Sequence, residues 1–416
     1  MTQVAATQRS AVQVVAEGTA ERERSLPERS LPDAVHPAYR AAIRRLTLTN
    51  FRSYDFLDLA LDGRPVALAG ANGAGKTNIL ESVSLIGPGR GLRGGRLADY
   101  PRHGGSGGWS VAVRLEASDD ERRLGVGAEA HQPDKRVCRI DGRSASGPIA
   151  FADHVRFLWL TPAQDRLFME GAGERRKFLD RMTQAHDPTH ARAANTYETA
   201  MRQRQKLLEN DLGTDDAWLS SLEMQMAEAG VAVAAARREM AALLAEHNLS
   251  DDGGQGAVFP AADIALQGDI ESMLDEAPAA TVEDTFADRL RANRRLDAEA
   301  KRATLGPHRS DLLVTHRAKS EPARLCSTGE QKALLIGLVL ANACTLAKRQ
   351  DCPPLILLLD EIAAHLDPAR RAALFDILDT TKFQCFMTGT DHQLFEAWGE
   401  RAQLFTVCDG VLTEAR

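Results

Sequence analysis

A glycine-rich segment ending in lysine and threonine carries the clearest chemistry in this sequence. It fits the pattern G-x-x-x-x-G-K-[ST] at every fixed position and consists of Gly70, Ala71, Asn72, Gly73, Ala74, Gly75, Lys76 and Thr77. Glycines let backbone N–H groups turn inward around a phosphate, and a following helix adds its partial positive charge. We therefore expect Lys76 to bridge the β- and γ-phosphates of bound ATP and the Thr77 hydroxyl to hold Mg²⁺.

An Asp-Glu pair supplies groups that could act on such a nucleotide. Asp360 and Glu361 follow the aliphatic run 355–359, which is typical of a parallel strand buried on both faces. The carboxyl end of such a strand is where open α/β sheets bind ligands. We expect Asp360 to orient the magnesium shell and Glu361 to polarise the attacking water as general base.

A second anion site is predicted where a long apolar helix begins, from Gly329 to about Lys348. Ser327 directly precedes this helix in the segment Ser-Thr-Gly-Glu-Gln and is its predicted N-cap. A serine hydroxyl and the N–H groups of a helix N-terminus can together bind an anion. A plain capped helix is the alternative interpretation, and the residues themselves leave both open.

The elements that must position these groups can be read from periodicity. Residues 64–69 predict a buried strand and residues 77–86 the helix after the phosphate loop. Alternating runs at 109–114, 123–127 and 136–140, with Asp141-Gly142 as a turn, predict antiparallel strands. Helical periodicity predicts helices near 172–185, 190–210, 216–247 and 281–303, with a Gly/Asp-rich break at 251–256. These helices are too short and interrupted for a long coiled coil.

Length, composition and net charge limit the classes of protein to which this chain can belong. The chain has 416 residues, of which 44% are hydrophobic, so it can hold two domains with cores of their own. We find no apolar run long enough for a bilayer and no signal-peptide core. The six cysteines show no metal-binding spacing and are typical of a reduced, cytoplasmic protein. The net charge of −7 excludes a chain-wide basic field, so any nucleic-acid contact must be local.

From about Tyr39 to the C-terminus the chain resembles the RecF family of DNA replication and repair proteins, whose ATPase head is of the SMC type within the ABC class. Besides the motifs above, the segments that carry the resemblance are 46–54, 89–93, 159–166, 175–180 and 306–311. Gly-Pro-His-Arg-Ser-Asp, at 306–311, is the most diagnostic of them. The chain therefore looks like a protein whose ATP is sandwiched between two ATPase heads.

The resemblance assigns further residues. It implies that a signature motif caps the γ-phosphate bound by the opposite subunit, formed by Ser327, Gly329, Glu330 and Gln331. It implies a D-loop at His365 and Asp367, beside the nucleotide across the dimer seam, and a Q-loop residue at Gln164. The switch histidine of ABC transporters is absent after the strand 383–387, where Thr388, Thr390 and His392 remain the alternatives. Arg52, Arg90 and Arg93 are phosphate-contact candidates or ordinary surface arginines.

The resemblance also implies the fold and its division. The expected fold is α/β: a P-loop ABC-type ATPase head with an appended antiparallel sheet and an inserted helical lobe. Residues 1–38 lie outside the resemblance, and their polar composition with little periodicity predicts a disordered N-terminal extension. The first half of the head is expected at 39–168, the helical lobe at 169–303 and the second half of the head at 304–416.

By the same resemblance, the function is that of a cytoplasmic DNA repair ATPase that uses ATP and Mg²⁺. Two copies would close with ATP into a clamp on single-stranded and gapped or junction double-stranded DNA, and slow hydrolysis would release it. The clamp would assist recombinase loading, with mediators of the RecO and RecR families, in recombinational repair and the SOS response. The alternatives are a soluble ABC-type ATPase of a transporter or cofactor-assembly system and a P-loop metabolic kinase.

Overall fold

The computed structural model describes residues 41–117, 120–209, 216–247, 258–349 and 353–415. These residues form two compact units. One contains the described residues up to Pro162 and those from Arg349 onward, and the other is Ala163–Lys348. The predicted N-terminal extension, 1–38, and the Gly/Asp-rich break at 251–256 lie outside the described residues.

The elements are numbered in chain order. The strands are β1 Ala41–Phe51, β2 Tyr54–Ala60, β3 Val66–Ala69, β4 Trp109–Ala117, β5 Asp120–Glu129, β6 Gln132–Ile140, β7 Arg143–Ser144, β8 Arg156–Leu160, β9 Ala262–Gln267, β10 Asp311–His316, β11 Glu321–Pro322, β12 Leu355–Leu359, β13 Cys385–Gly389, β14 Gln403–Cys408 and β15 Val411–Glu414. The helices are α1 Lys76–Ser84, α2 Ala172–His186, α3 Thr189–Glu209, α4 Asp216–Glu246, α5 Asp269–Glu276, α6 Ala279–Ala292, α7 Arg294–Ala300, α8 Thr328–Lys348 and α9 Pro368–Thr381.

The first unit is built on a sheet of order β15-β14-β3-β13-β12-β8, parallel except for the edge strand β15. Every residue of β3, β12 and β13 is buried, as expected for parallel strands covered on both faces. In the register of this sheet, Gly389 pairs with Ala69 and Leu359 with Met387. The carboxyl ends of β3, β12 and β13 therefore meet at one edge, and the residues that follow them lie together.

An antiparallel sheet of order β2-β1-β4-β5-β6-β7 completes the first unit. Its strand β4 alternates buried and partly exposed residues, which leaves one apolar face for the core. The turn between β6 and β7 has positive φ at Asp141 (50°) and Gly142 (79°), the backbone of a tight hairpin. The expected antiparallel strands are thus confirmed, and β1 and β2 extend their sheet.

The second unit is mainly helical, with helices α2 to α8 and a small antiparallel sheet of order β11-β10-β9. Its core packs Tyr197, Met226 and Phe286. The expected helix at 281–303 is divided into α6 and α7 at Asn293, whose ψ of 2° departs from helical geometry. His308 and Arg309 form a 3₁₀ turn directly ahead of β10.

The α/β fold expected from the sequence is confirmed: a parallel P-loop core, an appended antiparallel sheet and a helical unit. The signature helix α8 belongs to the same compact unit as helices α2 to α7. The predicted domain boundaries at 168 and 303 stay predictions, because a division into compact units does not test where an inserted domain begins and ends. Within the described part of the chain, α8 alone has the length and composition of a membrane span. Of its most apolar stretch of 18 residues, 83% is buried inside the protein.

Candidate functional site

The phosphate loop connects β3 to α1 at the carboxyl edge of the parallel sheet. Gly70 and Gly75 have φ values of 158° and 109°, so both lie in the region that favours glycine. A Cβ on Gly70 would lie 2.2 Å from the carbonyl oxygen of Val407, and one on Gly75 would lie 2.8 Å from the Tyr54 hydroxyl. The loop is therefore packed too closely for side chains at these two positions. The Tyr54 hydroxyl donates to the Gly75 carbonyl (3.1 Å) and so fixes the end of the loop next to α1.

Lys76 is buried (4% exposed) and turns back over its own loop. Its Nζ donates to the carbonyl oxygens of Gly70 (2.7 Å) and Ala71 (2.8 Å). Burial lowers the pKa of Lys76, while the nearby carboxylates of Glu361 and Asp360 act in the opposite direction. The ammonium thus lies in the electrostatic field of the Asp-Glu pair, bonded to neutral carbonyls that a phosphate could replace.

Asp360 is the centre of a hydrogen-bond chain that joins three of the strand ends. Its Oδ1 accepts from the Thr77 hydroxyl (3.0 Å) and from the buried Thr388 hydroxyl (2.7 Å). The Thr388 oxygen in turn accepts the backbone N–H of Glu361 (2.8 Å). Glu361 has a φ of 56°, a left-handed conformation that is unfavourable for a side chain of this size. Thr388 therefore fixes the strained residue that the sequence predicts as general base.

The group of Thr77 and Asp360 fits the oxygen-ligand preference of Mg²⁺, which typically takes one or two protein oxygens and completes its shell with water and phosphate. No group of three or more His, Cys, Asp or Glu suited to a metal occurs in the described ranges. A protein cage is not needed for this type of magnesium site.

The three alternatives for the switch position differ in their contacts. Thr388 contacts both members of the Asp-Glu pair. The His392 Nε2 is 3.0 Å from the Thr406 hydroxyl on β14. Thr390 is exposed. Among these three residues, Thr388 is the one whose contacts the structure links to the Asp-Glu pair.

Two of the three candidate arginines near the phosphate loop pair with a carboxylate of this chain. Arg52, at φ 53°, makes a two-pronged ion pair with buried Glu81 on α1 (2.9 Å for each bond). Arg93 contacts the same carboxylate (3.1 Å). Arg90 is exposed. Arg52 and Arg93 therefore brace α1 through Glu81, a role that no local sequence pattern indicates because the paired residues lie far apart in the chain.

The signature segment belongs to the second unit. Ser327 lies at the start of α8 and forms a capping box with Glu330: Glu330 Oε2 accepts from the Ser327 N–H (3.0 Å) and hydroxyl (2.9 Å). Gln331 is buried, and its amide donates to the carbonyl of Cys326 (2.8 Å), which fixes the chain before the helix. Ser327 and Gly329 are exposed. The N-terminus of α8 therefore faces solvent, and the Gln331–Cys326 hydrogen bond fixes the backbone beneath it.

Three further predicted site residues have defined local positions. Asp367 caps α9 by accepting the N–H of Arg370 (2.9 Å), in agreement with a D-loop that ends where a helix begins, and His365 lies in the 3₁₀ turn just before it. Gln164 ends a 3₁₀ turn. Its neighbour Asp165 pairs with buried Lys332 of α8 (2.8 Å), a connection between this turn and the signature helix that sequence reasoning missed.

Comparisons with known proteins agree with this architecture. Residues 42–413 match the family model described as the RecF/RecN/SMC N terminal domain. A DNA replication and repair protein RecF of Rhizobium etli (strain CIAT 652) is 48% identical over 373 residues, covering 89% of this chain and 98% of the relative. The RecF protein of Allorhizobium ampelinum is 49% identical over 377 residues, covering 90% of this chain and all of the relative.

Solved structures support the same fold. The recombination mediator protein RecF with ATPrS in the RecFOR pathway superposes with a TM-score of 0.77 at 20% identity, covering 92% of this chain and 100% of that structure. An Smc head domain from Pyrococcus furiosus gives a TM-score of 0.50 at 17% identity, covering 90% and 96%. With the family match over most of the chain and near-half identity to full-length relatives, this chain belongs to the RecF family of DNA replication and repair proteins.

Proposed function

We propose that this protein is an ATP-driven dimeric clamp on DNA with slow, DNA-dependent ATP hydrolysis. ATP and Mg²⁺ bind at the phosphate loop of each copy, and the signature motif of the other copy closes over the γ-phosphate. The closed pair binds single-stranded and gapped or junction double-stranded DNA in the cytoplasm. It assists recombinase loading with mediators of the RecO and RecR families in recombinational repair and the SOS response.

The observation that carries this proposal is the hydrogen-bond chain from Thr77 through Asp360 and Thr388 to Glu361. It joins at one sheet edge the three residues to which we assign magnesium binding (Thr77), orientation of the magnesium shell (Asp360) and proton acceptance (Glu361). A chain that only bound nucleotide would need the first two groups. Holding Glu361 in an unfavourable backbone conformation costs folding free energy, and such strain is concentrated at functional sites. ATP hydrolysis is the function for which a base at this position is needed.

Each residue has a distinct task. Lys76 exchanges its bonds with two backbone carbonyls for bonds with the β- and γ-phosphates, which are stronger because both partners are charged. Mg²⁺, when bound with ATP, neutralises charge that develops on the phosphates. Glu361 accepts a proton from the attacking water. Thr388 keeps the Glu361 backbone in place by accepting its N–H while donating to Asp360.

The surface beside the signature motif supports a partner at this position. Ser327 is exposed, and Leu325, two residues earlier, is 60% exposed. An exposed apolar side chain next to a solvent-facing helix N-terminus suits a surface that is covered when a second copy binds. ATP then shifts the equilibrium toward the closed pair by its differential affinity for that state. The capping of one γ-phosphate by Ser327 of the other copy supplies the difference.

A DNA-stimulated ATPase assay tests this function. We expect slow basal turnover that rises severalfold with gapped duplex DNA, and no turnover for Lys76→Ala. The same assay discriminates the alternatives, because an ATPase of a transporter or cofactor-assembly system would not respond to DNA and a metabolic kinase would need a small acceptor. Turnover that is unaffected by any form of DNA would contradict the proposal.

A further inference from the structure

Glu330 occupies the groups of the signature motif that the proposed function requires for phosphate. Its Oε2 accepts from both the N–H and the hydroxyl of Ser327, at 3.0 and 2.9 Å. The return bond of this capping box, from the Glu330 N–H to the Ser327 hydroxyl, is long at 3.4 Å. The serine proton is thus directed at a carboxylate of the same chain.

Lys319 binds the other oxygen of the same carboxylate. Its Nζ forms an ion pair with Glu330 Oε1 from the end of a 3₁₀ turn, where Ser320 has a φ of 51°. Lys319, followed by the bonds from Ser327, lowers the pKa of Glu330 to about 2, and Glu330 raises the pKa of Lys319. The carboxylate is therefore fully ionised at neutral pH, with a cation on one side and the signature serine on the other.

This arrangement creates a conflict for anion binding. A γ-phosphate at Ser327 would lie beside an ionised carboxylate, and like charges at such distances repel. The serine would also have to redirect its hydroxyl from Glu330 to the phosphate. Both costs fall if the carboxylate is drawn toward Lys319, since the pair then presents no net negative charge to the incoming nucleotide.

We propose that Lys319 and Glu330 form a latch on the signature motif. In the free chain Glu330 holds the Ser327 hydroxyl, and when nucleotide of a second copy arrives Lys319 retains the carboxylate while the serine is released to the phosphate. Lys319 is thus a positioning residue: it touches no nucleotide and acts through Glu330. The inference rests on the proposed function, in which two copies share each ATP site. It gives a role to Lys319, which lies outside the motifs of that site.

The test compares nucleotide-dependent self-association of four variants with wild type, using ATPγS and analytical ultracentrifugation. Lys319→Gln leaves the carboxylate without its cation, so the dimer should weaken about tenfold. Glu330→Gln keeps the capping box, since glutamine also accepts from the N-cap, and removes the repulsion. The double variant should therefore dimerise within about threefold of Glu330→Gln. Lys319→Arg keeps the charge and should stay within about threefold of wild type.

Two controls separate the latch from a structural role. ATPγS binding to the phosphate loop of the single copy should be equal in all variants. The loss of dimer affinity in Lys319→Gln should become smaller when the salt concentration is raised from about 50 to about 500 mM. Salt screens the repulsion between the exposed carboxylate and the phosphate, with a screening length of about 10 Å at ~0.1 M.

The outcomes are distinct. A defect of equal size in Lys319→Gln and in the double variant would overturn the latch, as would an unaltered Lys319→Gln dimer. If wild type itself does not associate with ATPγS, the proposed function fails and the latch fails with it.

Discussion

Both units of this protein contain buried charged side chains, but the partners of those charges differ in kind. In the helical unit, the Arg204 guanidinium is 1% exposed and donates to Glu223 (3.0 Å), Asp297 (2.6 Å) and the Leu290 carbonyl (2.6 Å). Arg294 and Thr304 bind the remaining oxygens of the two carboxylates. In the phosphate loop, the Lys76 ammonium has only backbone carbonyls as direct partners among the described bonds.

The difference separates a structural charge from a functional one. Charges that neutralise each other through fixed side chains are costly to disturb, because removing one leaves the others buried without a partner. An ammonium bonded to neutral carbonyls can change partners when a better anion arrives. We therefore expect changes in the helical unit to act on the free energy of unfolding and changes in the loop to act on ATP.

The largest effect is expected for Lys76→Ala. It removes the cation of the phosphate loop and should abolish productive ATP binding. The melting temperature should change little, because the lost bonds go to the backbone carbonyls of half-buried Gly70 and exposed Ala71. Filter binding of labelled ATP and a thermal melt measure the two quantities. ATP affinity close to that of wild type would contradict the assignment of the loop.

Arg204→Met tests the other side of the comparison. We expect a loss of about 3–5 kcal/mol in the free energy of unfolding, since Asp297 loses its buried cation and Glu223 one of two. Hydrogen exchange of the α3 and α4 amides localises the effect to the helical unit. Arg202→Met is the matched control on the same helix: Arg202 is exposed, so its replacement should change stability by less than about 0.5 kcal/mol.

Glu361→Gln should keep ATP binding and lose hydrolysis by about 10²–10³-fold, because an amide cannot accept the proton of the attacking water. The closed dimer should then accumulate with ATP, which light scattering after size-exclusion chromatography would detect. Normal turnover, or a variant that stays monomeric with ATP, would remove Glu361 as the base.

Thr388→Val should have a smaller effect, a decrease of about tenfold in kcat at unchanged ATP affinity. Valine has nearly the same shape but cannot accept the Glu361 N–H or donate to Asp360, so the left-handed Glu361 loses its support. Thr388→Ser retains the hydroxyl and should recover most of the activity. Equal rates for Thr388→Val and wild type would assign the switch role to another residue.

Much of the first unit follows from the sequence because its signals are local. The phosphate loop, the aliphatic strand before Asp360 and the alternation in β4 each depend on neighbours in the chain, and the parallel arrangement of β3, β12 and β13 then brings their ends together. The same holds for the cap at Ser327. These positions were predicted by number and lie in the local structures expected of them.

Contacts between distant residues could not be predicted in the same way. The Arg52–Glu81 pair, the Thr388 bridge and the Lys332–Asp165 pair connect residues 27 to 167 positions apart. A charged side chain on a helix usually faces solvent, so buried Arg204 and Glu223 resembled ordinary surface residues until their partners were known. Trp218 departs from the usual pattern in the opposite sense: it is a large apolar side chain on a helix, and it is 53% exposed.

The central claim, that one ATP is bound by the loop of one copy and the signature motif of another, is tested most directly by mixing two inactive variants. Ser327→Arg should bind ATP and fail to dimerise, because a bulky side chain occupies the place of the γ-phosphate. Lys76→Ala should fail in the loop itself. A mixed dimer has one intact loop facing one intact signature motif, so DNA-dependent ATPase activity should return well above the sum of the separate variants. No recovery from two folded variants, or normal activity of Ser327→Arg alone, would contradict the shared site and leave Ser327 as a helix cap.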